Sequence, residues 1–453
     1  MAAVILETPV PLVLAVVGHR DPLPEALPGL RKLFRNDLEQ LLAALPHTPL
    51  LMLNGLACGM DSEAAELFLE VCPGHSLVAA LPKRPDHFRQ DFARGPELER
   101  LERLLQRSAA VLHPGNCPEL RGAALEGEEL PCPACYGQQG LFLVRHAYLV
   151  FAFSNGVETM EVGGTSQTVA LQKGEVHPLF CSVEEVIASL EPGALIEYDT
   201  PRHKNRLADD LSRPERACWL QARNVASVAA LLTIPSRLEE LNRSVSGSQC
   251  RPWWTWLMSA DRIERVVRRC LVETRAVQEI WTATGVETDC ADLLQSRMHP
   301  ALHWVRTWLR ASRLQHLSQA QATAPAAWDQ AHQWLLTQYS HLERECQRRR
   351  DHRQWIWQLL LVAVAASLGG AVGIALALGV LLLAEALWRG DRTETRRCRR
   401  RRDQLGRCLR AYEQALYTDA AEPQRELRLR CALEAAGRDT LDELNDWVSA
   451  QLR

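Results

Sequence analysis

Lysine is nearly missing from this chain. Of 52 basic residues only Lys32, Lys83, Lys173 and Lys204 are lysines, and the remaining positive charge is arginine. With its alanine and leucine this composition suggests a GC-rich bacterial genome, and it makes any lysine in a loop worth separate attention. Positive charge of either kind is scarce in residues 1–200, which hold 14 basic against 26 acidic residues. Nucleic acid is therefore not expected as the main ligand there, because phosphate backbones are bound through clustered arginine and lysine. A disulfide framework is also missing. The 14 cysteines are scattered, and reduced cytosolic thiols are the simplest account of them. The apolar start has no basic n-region and is broken by Glu7, Pro9 and Pro11, so it reads as a first strand and not as a signal peptide. Hydrophobic content of 47% and charge of 24% allow a sizeable core, and the length allows two or three domains.

One stretch has no charge at all. Leu359–Ala384 lies inside the run Trp355–Trp388, with Trp355, Trp357 and Trp388 at its ends. It exceeds the roughly 18 apolar residues that mark a membrane-spanning candidate, and the tryptophans stand where an interfacial aromatic belt places them. The alternative is a buried core helix, which rarely offers so long an apolar cylinder. As a single helix Leu359–Ala384 is about 39 Å long against about 30 Å of hydrocarbon. Arg344, Arg348–Arg350 and Arg353 precede it, and Arg389, Arg392, Arg396, Arg397 and Arg399–Arg402 follow it. Both flanks therefore read as cytoplasmic, which an even number of crossings satisfies. The favoured expectation is a hairpin turning at Gly369-Gly370, with Gly369, Gly373 and Ala377 as a small-residue ladder for close helix packing. Basic flanks of this kind also suit anionic headgroups.

Before residue 200 short apolar runs alternate with helix-period stretches. Val13–Val17, Leu50–Leu53, Ser76–Leu81, Tyr148–Phe153 and Pro178–Cys181 read as strands, so an α/β domain with a parallel sheet and helices on both faces is expected. Ligands of such sheets sit beyond the C-terminal strand ends. Gly18, His19 and Arg20 follow the first strand; glycine admits close backbone approach, and arginine offers a fork for phosphate or carboxylate. Gly55, Gly59 and Asp61 follow the second, as an anion cradle at a helix start with a carboxylate for ribose hydroxyls. Lys83 and Arg84 follow the third. Asn155-Gly156 and then Gly163, Gly164, Thr165 and Thr168 follow the later strand, again opening a helix. A single glycine-rich turn is often only structural, and a lone His19 is more often a satisfied loop histidine than a catalyst. Four such pieces in order at strand ends carry more weight.

Together VVGHRD, NGLACGMD, LPKRPDHF and VGGTSQTV resemble the SLOG superfamily of Rossmann-like domains, relatives of the LOG phosphoribohydrolases and the DprA fold, over roughly residues 10–200. The resemblance implies a pocket for a nucleotide-derived ligand, ADP-ribose-like or cyclic, lined by the residues just named. LOG hydrolases carry PGGxGTxxE, whose glutamate acts on the glycosidic bond. Matching Gly164-Thr165 to its Gly-Thr puts Thr168 at that glutamate, and threonine cannot serve as a carboxylate. The resemblance therefore implies a binder in preference to an enzyme, with membrane-tethered hydrolysis as the alternative.

His113, Cys117, Cys132 and Cys135 have the pairwise spacing of a structural zinc site, or are incidental cysteines of an insertion. Residues 202–354 read as helical, with a joint at Ser244–Pro252 and Trp253, Trp254 and Trp256 after it. Leu405–Leu452 shows helix spacing again. Soluble helices bracketing an apolar hairpin resemble SLATT-type modules, the two-transmembrane effectors associated with SLOG sensors. The expected organisation is a ligand domain at 1–201, a helical coupling region at 202–354, a transmembrane hairpin at 355–388 and cytosolic helices at 389–453. The expected setting is a bacterial inner membrane with both terminal regions in the cytoplasm. The expected partners are a nucleotide signal, the enzyme that makes it, the bilayer and further copies of the chain.

Overall fold

Seven residues, six of them apolar side chains and the last a glycine, form strand β1 (Leu12–Gly18). The computed structural model describes residues 9–121, 133–157, 162–175, 193–203, 215–220, 223–246, 262–294, 303–319, 325–366, 395–417 and 422–452. In it β1 pairs in parallel with β2 (Leu50–Asn54) on one side and β5 (Leu149–Ser154) on the other. Strands β3 (Ser76–Ala80) and β4 (Ala110–Leu112) continue the β2 side, and β6 (Ala194–Asp199) continues the β5 side, all parallel. Then β7 (Arg216–Leu220) and β8 (Arg223–Val225) complete the order β4-β3-β2-β1-β5-β6-β7-β8. The central strands are buried along both faces, so they read as continuous apolar runs without alternation.

The strands within residues 10–200 are parallel as expected, but β6–β7 and β7–β8 are antiparallel, and β7 and β8 overturn the expectation that residues 202–354 are helical there. Only residues 221–222 separate β7 from β8, far too few for a crossover, and a two-residue connection reverses a strand. The sheet also runs on past residue 201. The strand expected at 178–181 lies outside the described residues.

Helix α1 (Leu27–Ala44) lays Leu30, Phe34, Leu38 and Leu41 on one buried face. The Phe34 ring meets Phe151 edge-on at 5.0 Å and Phe153 at 5.6 Å, joining helix to sheet. Helices α2 (Met60–Val71), α3 (Pro96–Arg107), α4 (Ala134–His146) and α5 (Thr165–Gln172) follow. Helix α6 (Thr233–Ser246) closes on the start of β1: Val10 N–H donates to Asn242 Oδ1 at 3.0 Å and Asn242 Nδ2 donates to the Val10 carbonyl at 2.8 Å. Such pairing satisfies a strand end that has no sheet neighbour there. Helices α7 (Arg262–Thr284) and α8 (His303–Gln319) complete the middle region.

Two compact units result: Met1–Glu279 with Asp289–Ala320 and Asn445–Arg453, and Ile280–Thr288 with Gln321–Leu444. The first carries the sheet. The second holds α9 (Pro325–Ala366), α10 (residues 395–416) and most of α11 (Glu422–Leu452). Within it Trp281 is fully buried, its Nε1 donates to the Leu433 carbonyl at 3.1 Å, and Gly437 leaves room for the ring. Helices α9 and α10 are antiparallel: Tyr412 Oη donates to the Trp328 carbonyl at 2.7 Å, His332 Nε2 meets Glu413 Oε1 at 3.3 Å, and Cys346 meets Cys398.

Among the described residues no helix is long and apolar enough to cross a membrane. Residues 367–388 of the expected hairpin, with Gly369-Gly370, lie outside the described residues, as do Trp253, Trp254 and Trp256.

Candidate functional site

From β1 the sheet grows outward through β2, β3 and β4, and the chain then returns to place β5 on the other side of β1. The loops after β1 and β5 therefore diverge, which opens a crevice at the carboxyl ends of the central strands. Four of the sequence motifs follow β1, β2, β3 and β5 and so fall on this edge.

The loops after β1 and β2 are pressed together. A Cβ on Gly18 would come within 2.5 Å of the Met60 Cβ. Gly59, which starts α2, has φ +83 and would put a Cβ 2.5 Å from the carbonyl oxygens of His19 and Arg20. Glycine is needed there on both counts. Between them Leu56 adopts φ +54 although it has a side chain. It is held by full burial and by its N–H donating to Asn54 Oδ1 at 2.6 Å. Strained backbone of this kind persists where its surroundings over-determine it.

Asp61, in the first turn of α2, is buried, and its Oδ1 has no hydrogen-bond partner among the described residues. Burial pushes its carboxyl up to about 7, against the pull of Arg20 and of the Gly18 and Ala57 amides. Arg20 is exposed. Partial desolvation works against its cation, yet Tyr136 and Asp61 hold it above the ordinary guanidinium range. Its guanidinium lies 5.0 Å from the centre of the Tyr136 ring, and the Lys83 ammonium lies 5.5 Å from the same centre. Two cations on one aromatic ring form a binding face for an anion with a planar group. Lys83 also meets both oxygens of Asp91 at 2.9 Å, and Tyr136 Oη donates to Asp91. Arg84 stands exposed at the start of the turn Pro85–Phe88, with its Nε close to the space beside Gly115.

His19 is not poised for proton transfer. Arg202 Nη1 faces its Nδ1 at 3.0 Å, and its Nε2 lies 3.1 Å from both the Asn155 N–H and Asn155 Oδ1. Burial and the Arg202 charge push its pKa down to about 4. The neutral ring ties the β1 loop to the β5 loop.

After β5, Gly163 has φ +84, and a Cβ there would meet the Tyr136 Cβ at 2.6 Å. Its N–H donates to Gln167 Oε1 at 2.6 Å. Gly164 caps α5 in an extended conformation without a side-chain cap, and Thr165 is half-buried at the helix start. Thr168 is buried against Gly140, with its hydroxyl donating to the Gly164 carbonyl at 3.3 Å. Gly55 faces Gln139, whose Nε2 donates to the Ala80 carbonyl at 2.6 Å. The N-terminal half of α4 thus reaches residues of the loops after β1, β2, β3 and β5.

Tyr136, Gln139, Arg202 and Asp91 belong to this arrangement and had no motif to announce them. Tyr136 and Gln139 follow directly on His113–Cys135, the segment that reads in sequence as an insertion. Of the zinc residues, Cys132 lies outside the described residues, and Cys117 and Cys135 are buried. His113 Nδ1 accepts from Gly115 N–H at 3.0 Å. Among the described residues no three His, Cys, Asp or Glu side chains are placed to hold a metal ion.

Compared with known proteins, the chain matches no family model and no curated protein.

Proposed function

We propose that this chain is a sensor joined to a membrane device. Its SLOG-like sheet domain binds a nucleotide-derived signal, ADP-ribose-like or cyclic, made by a separate enzyme. Binding drives self-assembly and disrupts a bacterial inner membrane, as an antiphage effector would. The observation that carries the reading is the convergence of Arg20 and Lys83 on Tyr136 at the switch point, beside an Asp61 oxygen that has no hydrogen-bond partner among the described residues. In this reading the two cations hold phosphate, Tyr136 stacks on the base, and Asp61 accepts from a ribose hydroxyl. The backbone amides at the starts of α2 and α5 add partial positive charge. Phosphate has to displace Asp91 from Lys83, so recognition is an exchange of anions.

Membrane insertion is supported by the end of α9. Trp355, Trp357, Leu361, Val362 and Val364 are 62%, 54%, 69%, 65% and 61% exposed. At 3.6 residues per turn they occupy roughly half of the helix circumference. Burying such side chains is worth about 1.5–3 kcal/mol each, which lipid supplies and water does not. The antiparallel course of α9 and α10 supports two crossings, because it is the reversal of direction that an even number of crossings requires.

The test pairs binding with toxicity. Thermal shift of the full chain in detergent against ADP-ribose and cyclic nucleotides is expected to give stabilisation by one of them, by RT ln(1 + [L]/Kd). Toxicity in cells making the signal is expected to vanish in Arg20→Ala and in a deletion of residues 355–388. Persistent toxicity in both variants refutes the mechanism. A second reading, a membrane-tethered LOG-type N-glycosidase, is favoured by one observation: a buried carboxyl with its pKa near 7 beside an arginine suits a general acid. Release of base from nucleoside monophosphates, abolished by Asp61→Asn, decides for it; stoichiometric capture without product decides for sensing.

A further inference from the structure

Cys346 on α9 and Cys398 on α10 bring their sulfurs to 2.8 Å from each other, and both side chains are buried. The two residues are 52 apart in sequence, and the chain between them contains the whole apolar run Trp355–Trp388. Further along the same pair of helices, the contacts of Tyr412 with Trp328 and of Glu413 with His332 keep the register antiparallel. A disulfide bond is about 2.05 Å long, so closing this contact asks for a movement of under about one ångström. None of these residues belongs to the strand-end site.

We propose that Cys346 and Cys398 are a dithiol that a peroxide converts to a disulfide, stapling α9 to α10 at the foot of the apolar segment. In the first step one Sγ attacks peroxide, the O–O bond breaks, and the departing oxygen leaves as water, giving a sulfenic acid. The second Sγ then attacks that sulfur, the S–O bond breaks, and a second water leaves. Two electrons pass from the sulfurs to the peroxide oxygens, and both thiol protons end in water. A cellular thiol reductant reverses the bond, so the staple is set under oxidative challenge and released afterwards. Its effect is to prevent α9 and α10 from separating at that level. This inference stands on the helix pair alone and is independent of the ligand reading.

Burial pushes the Cys398 thiol up to about 12, with Cys346 adding to the shift; Arg349 and Glu345 on α9 are its charged neighbours, and Arg402 on α10 faces Cys346. Thiolate is scarce at neutral pH, so the bond forms faster at pH 9 than at pH 7.

The experiment treats the full chain in detergent with hydrogen peroxide, blocks remaining thiols with N-ethylmaleimide, and maps peptides by non-reducing mass spectrometry. The expected result is one dithiothreitol-sensitive pair joining Cys346 to Cys398, two hydrogens lighter than its parts. The pair is absent from Cys346→Ser and from Cys398→Ser. Oxidised chain is expected to melt several degrees higher, and dithiothreitol is expected to remove the shift. Recovery of both residues as maleimide adducts while other cysteines oxidise overturns the proposal, as does either residue pairing mainly elsewhere. The bond is read in the unaltered sequence, so a variant that fails to fold does not spoil the test.

Discussion

At pH 8 the Asp61 carboxyl carries a charge that its surroundings disfavour. It is enclosed, one oxygen has no partner among the described residues, and burial lifts its pKa from 3.8 to about 7. Its neighbour Arg20 is shifted in the direction of a favourable pair, while Asp61 is shifted in the direction of an unfavourable one. The carboxyl decides the sign, because Asp61 is enclosed and the guanidinium keeps contact with solvent. A group whose pKa is higher in the fold than in the unfolded chain takes up a proton on folding between the two values. Its contribution is therefore most favourable below about pH 4, is lost as pH rises to about 7, and is flat above. Three units at 1.36 kcal/mol each give about 4 kcal/mol as an upper figure. Asp61→Asn keeps the shape and removes the titration. We expect the variant to exceed the parent by about 2–4 kcal/mol at pH 8 and to match it near pH 4. Urea unfolding of the full chain in detergent, read by hydrogen exchange of β1 and β2 peptides, measures that difference. An Asn variant weaker than the parent at pH 8, or a difference that does not change with pH, refutes the reasoning.

Gly59→Ala must place a Cβ against two backbone carbonyls at positive φ, and is expected to cost about 2–3 kcal/mol; chemical denaturation checks it. Tyr136→Ala removes the ring shared by Arg20 and Lys83. It is expected to weaken nucleotide binding about 10-fold or more while Tyr136→Phe keeps most of it, as read by titration calorimetry. Replacing Trp355 and Leu361 by Asp, both well exposed on α9, is expected to abolish flotation of the chain with anionic vesicles without changing unfolding of β1.

The central strands were legible because each is buried on both faces and thus apolar without interruption, and because a glycine-rich turn follows β1, β2 and β5. β4 and β8 were not: three residues each give no periodicity. β7 was hidden differently, since this strand beside the short edge strand β8 keeps Arg216 and Trp219 partly exposed and lacks the apolar signature. In the site, Gly59 and Asp61 announced themselves through backbone demands at a helix start. Tyr136 had no such signal. Its place follows from the packing of α4 over the strand ends, a tertiary fact that no local pattern encodes. His19 sat in a recognisable motif, yet its protonation depends on Arg202, 183 residues away.

Helix α4 also explains how the sheet edge and the helices of the same unit are held as one piece. Its first turns carry Tyr136, Gln139 and Gly140 among the strand-end loops, and its last two residues enter a buried charge network. Arg145 pairs with Asp292, which also receives Arg310 Nη2 at 3.1 Å. His146 Nε2 meets Glu119 Oε2 at 2.5 Å, and Arg313 Nη2 meets Glu119 Oε1 at 2.7 Å. Arg310 and Arg313 belong to α8. Burial alone would raise the Glu119 carboxyl, but Arg313 and His146 hold it well below the usual carboxylate range. Its folded pKa is depressed, so its stabilisation is present above about pH 4.5 and is lost as pH falls below that. Glu119→Gln removes one of the carboxylates that face buried Arg313 and leaves Asp289 and Asp292, which costs up to about 3–5 kcal/mol at pH 7, and the cost shrinks in acid. Hydrogen exchange at pH 7 is then expected to rise in α4 and α8 together, because Glu119 pairs with His146 of one and Arg313 of the other. Faster exchange in α8 with α4 unchanged would show that α4 is anchored by the strand-end contacts and the Arg145–Asp292 pair without Glu119.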